Sequence, residues 1–193
     1  MTGTANVDGI ADGTADGTAD GIADGTADGT ADGAEVRQVA RVVLLDPDDR
    51  ILLMHGFEPD DPAQTWWFTP GGGLEGEESR EAAALRELAE ETGITDVDLG
   101  PVLWQRVCSF PFDGRRWHQD EWFYLARTSQ TTVSPGGLTE LEARSTKGLR
   151  WWTSAELSAA RETVYPTKLA ELLRTLLDEG PPSTPVVLAP EIA

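Results

Sequence analysis

The sequence predicts an α+β domain over residues 35–180, in which a mixed β-sheet lies between helices in an α/β/α arrangement. Three observations predict this fold class. Short segments rich in Val, Leu, Trp, Phe and Tyr alternate with turn residues, which is typical of strands. Residues 79–91 lack Gly and Pro and are rich in Ala, Leu, Glu and Arg, which are strong helix formers. A second amphipathic segment, from Pro166 to Gly180, predicts a closing helix.

A four-residue repeat of Ala, Asp, Gly and Thr fills most of residues 1–34. It carries an aspartate in each repeat, has a glycine at every fourth position and shows no apolar periodicity, so it offers nothing that could form a core. We therefore expect a disordered acidic N-terminal segment. This stretch has neither the basic nor the apolar region of a signal peptide.

The first part of the domain predicts a hairpin and a glycine-rich turn. Val36–Leu45 and Ile51–Met54 have strand-like composition and flank a turn at Asp46–Asp49. Glu58–Gln64, with two prolines and several acidic residues, predicts a loop. Trp66–Pro70 predicts a short extended run that leads into three consecutive glycines, where the backbone can approach a ligand closely.

Further strands are expected after the central helix. Val102–Phe110 and Glu121–Arg127 are rich in Val, Trp, Phe and Tyr, and the polar segment Pro111–His118 between them predicts a hairpin loop. Leu149–Trp152 predicts another short strand, and Ser154–Arg161 a short helix that begins at a serine cap. Together with the hairpin, these elements complete the predicted mixed sheet.

The closing helix has a clear apolar stripe. Pro166 is suited to its start and Gly180 to its end. The leucines on the stripe are Leu169, Leu172, Leu173, Leu176 and Leu177. Residues 181–193 form a Pro-rich tail, which we expect to be loosely attached.

Composition limits the classes of function. The chain has 193 residues, enough for one domain with a sizeable core, and 34 acidic residues against 15 basic ones. This balance argues against nonspecific binding of polymeric nucleic acid or of a membrane surface, since both require a basic face. The single cysteine, Cys108, excludes an internal disulfide, and with the absence of a long apolar run it favours a cytoplasmic location.

The central helix carries converging carboxylates. It has a suitable N-cap in Ser79 and a suitable C′ glycine in Gly93. At about 100° per residue, Glu87, Glu90 and Glu91 fall within an arc of about 100°. The apolar residues that we place on the opposite, core-facing side are Ala82, Leu85, Leu88 and Ala89.

Three carboxylates on one helical face repel one another unless a cation lies among them. Hard divalent cations such as Mg²⁺ prefer oxygen ligands, so a metal site is one interpretation of this face. A solvated acidic face is the simpler alternative, because glutamate-rich helix surfaces are common. The carboxylates alone do not decide between the two.

The spacing of the surrounding residues favours the metal site. Gly72 is followed after five residues by Glu78, and seven residues later by Arg86-Glu87, Glu90-Glu91 and Gly93. This segment, residues 72–94, resembles the Nudix box at every defined position, and the order of elements resembles the Nudix fold. The resemblance implies hydrolysis of a pyrophosphate bond in a nucleoside diphosphate linked to another group, with Mg²⁺ as cofactor, for which Mn²⁺ can substitute.

The resemblance also implies roles for individual residues. Glu90 and Glu91 would be metal ligands, and Glu87 would be a ligand or the general base. The carbonyl of Gly71, which precedes the box, would be a further ligand, and Arg86 would orient the carboxylates by ion pairing. Glu78 would support the site. Which glutamate acts as the base stays open.

Family members often take one more acidic group from a loop after the box. Glu142, which precedes the predicted strand Leu149–Trp152, is the first choice here, with Glu121 and Glu140 as competitors. The simpler alternative for Glu142 is an exposed loop glutamate.

Basic and aromatic side chains are candidates for contacts with the substrate. Phosphate contacts could come from Arg115, Arg116, His118, Lys147 and Arg150. A base could stack on Trp66 or Trp117, and also on Trp67 or Trp122. The alternatives are solvated surface charges and tryptophans that fill the core.

One feature of the sequence bears on the substrate subclass. A proline sixteen residues past the box is associated with ADP-ribose hydrolysis, and Pro111 has sixteen residues between it and Ile94. ADP-ribose-like compounds and nucleoside triphosphates are the leading candidates. A Nudix-fold nucleotide sensor or regulator without turnover is the alternative. The resemblance also raises the prospect of a homodimer, on which the residues are silent.

Overall fold

The computed structural model of the chain describes residues 36–193, so the expected disorder of the acidic repeat lies outside the described residues. The described part contains one sheet of ten strands and four helices. The strands are β1 (Arg37–Leu45), β2 (Ile51–Glu58), β3 (Asp61–Phe68), β4 (Gly71–Gly73), β5 (Asp98–Phe112), β6 (Arg115–Arg127), β7 (Thr146–Trp152), β8 (Thr163–Tyr165), β9 (Val186–Val187) and β10 (Glu191–Ile192). The helices are α1 (Arg80–Thr92), α2 (Glu140–Ser145), α3 (Ser154–Ser158) and α4 (Leu169–Glu179).

The sheet is mixed and follows the order β10-β5-β6-β1-β2-β3-β8. Strand β1 runs parallel to β6 along its whole length, from the pair Arg37 and Gln119 to the pair Leu45 and Arg127. Its first half also pairs antiparallel with the glycines of β4, while β7 pairs with β2 and β9 with β5. This register brings the glycine strand next to the centre of the sheet.

The sheet is covered on both faces, as the α/β/α prediction requires. Along β1, Val43 and Leu45 pack with Leu173 of α4 in one buried cluster. The intervening Val42 and Leu44 point to the other face and pack with α1. Alternation of side chains along a strand thus supplies two cores, and the predicted fold class is confirmed.

Helix α1 has the predicted ends but not the predicted buried face. The Ser79 hydroxyl accepts a hydrogen bond from the Ala82 backbone N–H, and Gly93 ends the helix with φ of 72°. The expected apolar stripe is wrong, because Leu85 is 41% exposed. The residues that the helix buries are Ala83, Ala84, Glu87, Leu88, Glu91 and Thr92. Two glutamates therefore share the inner face with apolar residues.

Two predicted loops are shorter than expected. Within Glu58–Gln64 only Pro59-Asp60 forms a turn, since β2 continues to Glu58 and β3 begins at Asp61. Similarly, the turn within Pro111–His118 is only Asp113-Gly114, and both residues have positive φ, at 51° and 73°. A two-residue Asp-Gly turn of this kind matches the right-handed twist of the strands that it joins.

The tail after α4 is ordered against the sheet, so the expected loose attachment is wrong. Strands β9 and β10 both pair in parallel with β5. The Leu188 N–H donates to the Gln105 carbonyl, and the Ala193 N–H donates to the Ser109 carbonyl. The parallel pairing uses the edge of β5 that β6 leaves open, and local sequence patterns do not predict where that edge lies.

The closing helix α4 is confirmed, with Leu169, Leu173 and Leu176 buried and Leu172 and Leu177 packed against them. Helix α3 is shorter than predicted, and its N-cap is Thr153 rather than Ser154. Among the helices of the described residues, none has the length and apolar character needed to cross a membrane.

Candidate active site

The glycine strand β4 allows α1 to lie directly beside β1. Gly71 has φ of 125°, a conformation that other residues rarely adopt, and a Cβ there would collide with the Ala40 backbone. A Cβ on Gly72 would overlap the Glu87 carboxylate. The two glycines therefore make room for carboxylates of α1 next to the sheet.

Three carboxylates meet at this point. Oxygen atoms of Glu87, Glu91 and Glu142 all lie within 4.8 Å of one another. Glu87 and Glu91 come from successive turns of α1 and are only 7% and 3% exposed, whereas Glu142 comes from α2. Residues from two separate elements thus form one acidic cluster, which we call the carboxylate cluster.

Each member of the carboxylate cluster is held in place by a backbone or charged group. The Gly71 N–H donates to Glu91 Oε2 at 2.6 Å, and Arg86 Nη1 donates to Glu87 Oε1 at 3.0 Å. Glu142 accepts from the Thr139 N–H at 2.8 Å as part of the capping box that begins α2. The cluster is therefore built into the fold.

Burial disfavours the charged forms of the two helix carboxylates. It raises the pKa of Glu91 well above its ordinary value, against the opposing effects of the Gly71 N–H and Arg41. Burial also raises the pKa of Glu87, with Arg86 opposing it and the Glu142 charge adding to it. Without a cation the cluster is electrostatically unfavourable.

These residues fit a hard divalent cation. Three carboxylate groups offer oxygen ligands that converge within a few ångströms, which is the donor chemistry that Mg²⁺ and Mn²⁺ accept. A cation would also offset the cost of two buried negative charges. The simpler alternative of a solvated acidic face does not hold for Glu87 and Glu91, because both are buried.

Arg86 is the main organiser next to the cluster. Its guanidinium contacts Glu78 at 2.7 Å, Glu87 at 3.0 Å and Glu90 at 3.3 Å. It also donates to the Gly73 carbonyl at 3.0 Å, which ties α1 to β4. The neighbouring acids, Glu78 first, raise the pKa of Arg86, so this guanidinium stays charged.

A cleft of about 640 Å³ opens beside the carboxylate cluster. Glu91 and Glu142 line one part of it, together with Gly71 and Gly72. Its aromatic lining includes Trp66, Phe68, Phe110, Phe112, Trp117 and Tyr165. A volume of this size lies within the range typical of small-molecule sites.

A chain of ion pairs crosses the floor of the cleft. Glu121, only 2% exposed, accepts from Arg41 Nε at 2.9 Å and also pairs closely with Arg106. Burial opposes the ionisation of Glu121, but the two arginines outweigh it and lower its pKa. Arg41 in turn donates to the Gly71 carbonyl at 2.5 Å. The chain thus connects the floor to the glycine strand.

Comparison with known protein families decides the assignment of the fold. The NUDIX domain family matches residues 35–176, which is most of the chain. The chain belongs to the Nudix family. The predicted resemblance is therefore confirmed over nearly the whole domain, well beyond the box itself.

The curated sequence relatives align with this Nudix chain over only part of their own length. An RNA pyrophosphohydrolase of Caulobacter vibrioides is 50% identical over 58 residues, which are 30% of this chain and 33% of the relative. A candidate mutator protein of Mycobacterium tuberculosis, MutT4, is 32% identical over 124 residues, 64% of this chain and 47% of the relative. The chain thus spans less than half the length of these curated relatives.

Solved structures agree on the fold. A MutT protein from Methanosarcina mazei has a TM-score of 0.55 and 18% identity, covering 75% of this chain and 94% of that one. The NUDIX domain of Shewanella oneidensis NrtR, solved with ADP ribose, has a TM-score of 0.55 and 21% identity, covering 75% and 90%. At these identities the likeness establishes the Nudix fold alone.

Two of the metal-binding groups implied by the Nudix resemblance, Glu90 and the Gly71 carbonyl, are not members of the carboxylate cluster. Glu90 is outside the carboxylate cluster, and its partly exposed side chain faces Arg86. The Gly71 carbonyl accepts the hydrogen bond from Arg41. Their roles as metal ligands stay predictions. Of the competitors of Glu142, Glu121 is engaged by two arginines and Glu140 is exposed.

The predicted substrate contacts divide into two groups. Trp66 and Trp117 line the cleft. Arg115 stacks on Trp117 at 3.6 Å but does not line the cleft, and Arg116 donates instead to the Ser109 hydroxyl and the Ala193 carbonyl. The binding roles of these four residues stay predictions.

The other basic and aromatic candidates lie elsewhere. Lys147 donates to the Pro62 carbonyl, and Arg150 pairs with Glu156. Trp67 stacks on His55, while Trp122 lies under Arg80 on the α1 side of the sheet. None of these four is among the residues that line the cleft.

Sequence reasoning missed the basic residues that do line the cleft. Arg37 and Arg41 lie on β1, and Arg106 lies on β5. One signal was available, since Arg41 interrupts an otherwise apolar run in β1. A charged residue inside a buried strand usually faces a partner or a ligand.

Proposed function

We propose that this Nudix chain is a Mg²⁺-dependent hydrolase that cleaves a pyrophosphate bond in a small nucleoside diphosphate derivative. ADP-ribose-like compounds and nucleoside triphosphates are the leading substrates. The single observation that carries this proposal is the convergence of Glu87, Glu91 and Glu142 beside an aromatic-lined cleft. That convergence supplies a cation site at the place where a diphosphate could lie.

The metal's contribution is that of a Lewis acid, because a bound Mg²⁺, or Mn²⁺ in its place, offsets pyrophosphate charge and lowers the pKa of water. Glu87, Glu91 and Glu142 would hold it. Arg86 keeps Glu87 in position, and the Gly71 N–H keeps Glu91 in position. One of the three carboxylates would accept the proton of the attacking water.

Cationic and aromatic groups of the cleft support a nucleotide as substrate. Arg37 and Arg41 line it although the chain has a net charge of −19, so they provide local attraction for phosphate groups. Trp66 and Trp117 offer flat surfaces for a base. ADP ribose in the NrtR NUDIX domain and the pyrophosphohydrolase name of one relative agree with a phosphoanhydride substrate.

The test is release of phosphate or nucleoside monophosphate from a panel of nucleotides, with and without Mg²⁺. We expect Mg²⁺-dependent turnover that Glu91→Gln lowers by about 100-fold or more, because the buried carboxylate is both a ligand and a charge. Glu77→Gln, in the exposed loop before α1, is the matched control and should retain wild-type turnover.

The alternative is a nucleotide sensor without turnover. Tight binding of a nucleotide without product release, in the presence or absence of Mg²⁺, would favour the sensor and contradict the hydrolase. The complete carboxylate cluster favours the hydrolase, since binding alone requires no buried acids.

A further inference from the structure

The segment Pro190–Ala193 lines the substrate cleft, although it follows the last helix and lies far from the box in sequence. We propose that this segment, the end wall, closes the cleft opposite the carboxylate cluster and excludes substrates with a second nucleoside or an RNA chain. This inference rests on the proposed function and specifies its substrate class.

The position of the end wall follows from the order of strands. The carboxylate cluster lies where α1 meets β4 beside β1, and the end wall includes β10, three positions away in the order β10-β5-β6-β1. With strands about 4.8 Å apart, three steps along this curled sheet span at most roughly 14 Å. A diphosphate and one sugar-sized group fill such a span, and a larger group would meet the wall.

Glu191 anchors the end wall to two other elements. Its Oε2 accepts from Arg106 Nη1 at 2.5 Å. Its Oε1 accepts from the Thr167 N–H at 2.9 Å and from the Thr167 hydroxyl at 3.0 Å. Because Arg106 also pairs with the buried Glu121, the anchor joins the ion-pair chain in the floor of the cleft.

Contacts on either side of Glu191 fix the rest of the segment. Leu188 packs against the core cluster under α4, and its N–H donates to the Gln105 carbonyl at 2.9 Å. Ala193 donates to the Ser109 carbonyl at 2.9 Å and accepts from Arg116 at 2.8 Å. These contacts give the wall a defined position over β5.

The position of the end wall therefore predicts an upper limit on the size of the group that the substrate carries beyond its diphosphate. ADP-ribose carries one sugar beyond its diphosphate, whereas diadenosine diphosphate has the same pyrophosphate bond and a second adenine. The pair differs mainly in the bulk at the far end. The intact chain should favour the smaller compound.

The experiment compares kcat/KM and equilibrium binding for these two compounds in the full-length protein. Glu191→Ala removes the anchor, and deletion of residues 190–193 removes the wall. We expect each change to raise the preference for diadenosine diphosphate over ADP-ribose by about tenfold or more, a typical contribution of pocket size to specificity. Glu191→Gln keeps only one of the two acceptor oxygens and should therefore change this preference less than Glu191→Ala does.

Val187→Thr is the matched control, because Val187 lies in the same tail but is 75% exposed and outside the cleft. It should leave the ratio of kcat/KM for diadenosine diphosphate to that for ADP-ribose unchanged. An unchanged ratio in both Glu191→Ala and the deletion would overturn the wall. If the wild type binds these two compounds without hydrolysing them, the ratio of their binding constants decides on the end wall, and turnover of the nucleotide panel decides on the proposed function. Failure to bind both compounds would overturn the end wall, whereas the proposed function would then depend on turnover of nucleoside triphosphates.

Discussion

Helices α1 and α4 cover opposite faces of the same sheet, but they bury different chemistry. Helix α4 buries Leu169, Leu173 and Leu176 and has no side-chain hydrogen bond at its N-cap, Lys168. Helix α1 is capped by Ser79 and buries two glutamates beside its alanines and one leucine. Helix α4 is therefore held by apolar packing, whereas α1 holds two charged groups that apolar packing alone would not stabilise.

The difference indicates where stability and function lie in this fold. Burying an apolar side chain lowers the free energy of the folded state, whereas burying a carboxylate raises it unless a cation or donor compensates. Helix α4 therefore contributes mainly stability. Helix α1 gives up some stability to place Glu87 and Glu91 in the carboxylate cluster beside the cleft.

The largest expected change in the free energy of unfolding comes from a substitution in α4. Leu173→Ala removes a fully buried side chain and should lower the free energy of unfolding by about 2–5 kcal/mol. The matched change on α1 is Leu85→Ala, at a position 41% exposed, with an expected cost of about 0.5 kcal/mol or less. Urea denaturation of both variants measures the contrast, and equal losses would show that the two helices do not differ.

The next substitution, Glu91→Gln, should raise stability rather than lower it. Because the pKa of Glu91 is raised in the folded protein, its stabilising contribution is complete below the ordinary value of 4.5 and is lost as the pH rises through the raised value. Glu91→Gln should therefore stabilise the metal-free protein at neutral pH, on the order of 1 kcal/mol.

Melting temperatures of the wild type and Glu91→Gln in EDTA, from pH 4 upward, check this expectation. The difference between them should grow with pH and then level off. A variant that is less stable than the wild type at neutral pH would contradict the raised pKa of Glu91.

A smaller effect concerns how the helices begin. Ser79→Ala removes the hydrogen bond to the Ala82 N–H and should cost about 1 kcal/mol of stability. Lys168→Ala, at the uncapped start of α4, should change stability by about 0.5 kcal/mol or less. Thermal unfolding separates the two, and a larger loss for Lys168→Ala would reverse the comparison.

The smallest effect comes from a carboxylate that contrasts with Glu91. Hydrogen bonds from Thr65, Trp67 and His55 lower the pKa of Glu162 to about 2. Its stabilising contribution is present above the ordinary value of 4.5 and is lost as the pH falls toward about 2. Because the side chain is partly exposed, the contribution should be below about 1 kcal/mol.

Comparison of the wild type with Glu162→Gln between pH 6 and pH 2 measures this contribution. The advantage of the wild type should shrink on acidification, opposite to the trend for Glu91. A constant difference over this range would show that the partners of Glu162 do not favour its charged form.

The sequence predicts local features, such as helix ends, better than it predicts which residues contact each other in the folded protein. The ends of α1 at Ser79 and Gly93 follow from capping chemistry and are confirmed. Counting apolar residues predicts the wrong buried face for α1, because Gly72 of β4 leaves room for the Glu87 carboxylate beside the sheet. The partners of a helix face depend on tertiary contacts that helical spacing does not contain.

The same limit applies to the cleft. Arg106 and Glu191 are 85 residues apart, and their contact depends on parallel pairing of β10 with β5. Neither strand signals that pairing in its own sequence. Arg41 could have been suspected from its place in an apolar strand, but its partner Glu121 could not. Motif positions were thus predictable, and long-range ion pairs were not.

A Mg²⁺ titration followed by melting temperature tests the central claim, that the carboxylate cluster binds a divalent cation. Saturable binding to the folded state raises the melting temperature. We predict a rise for the wild type and for Glu77→Gln, and a much smaller rise for Glu91→Gln and Glu142→Gln. Equal rises in all four proteins would contradict the cluster as the cation site.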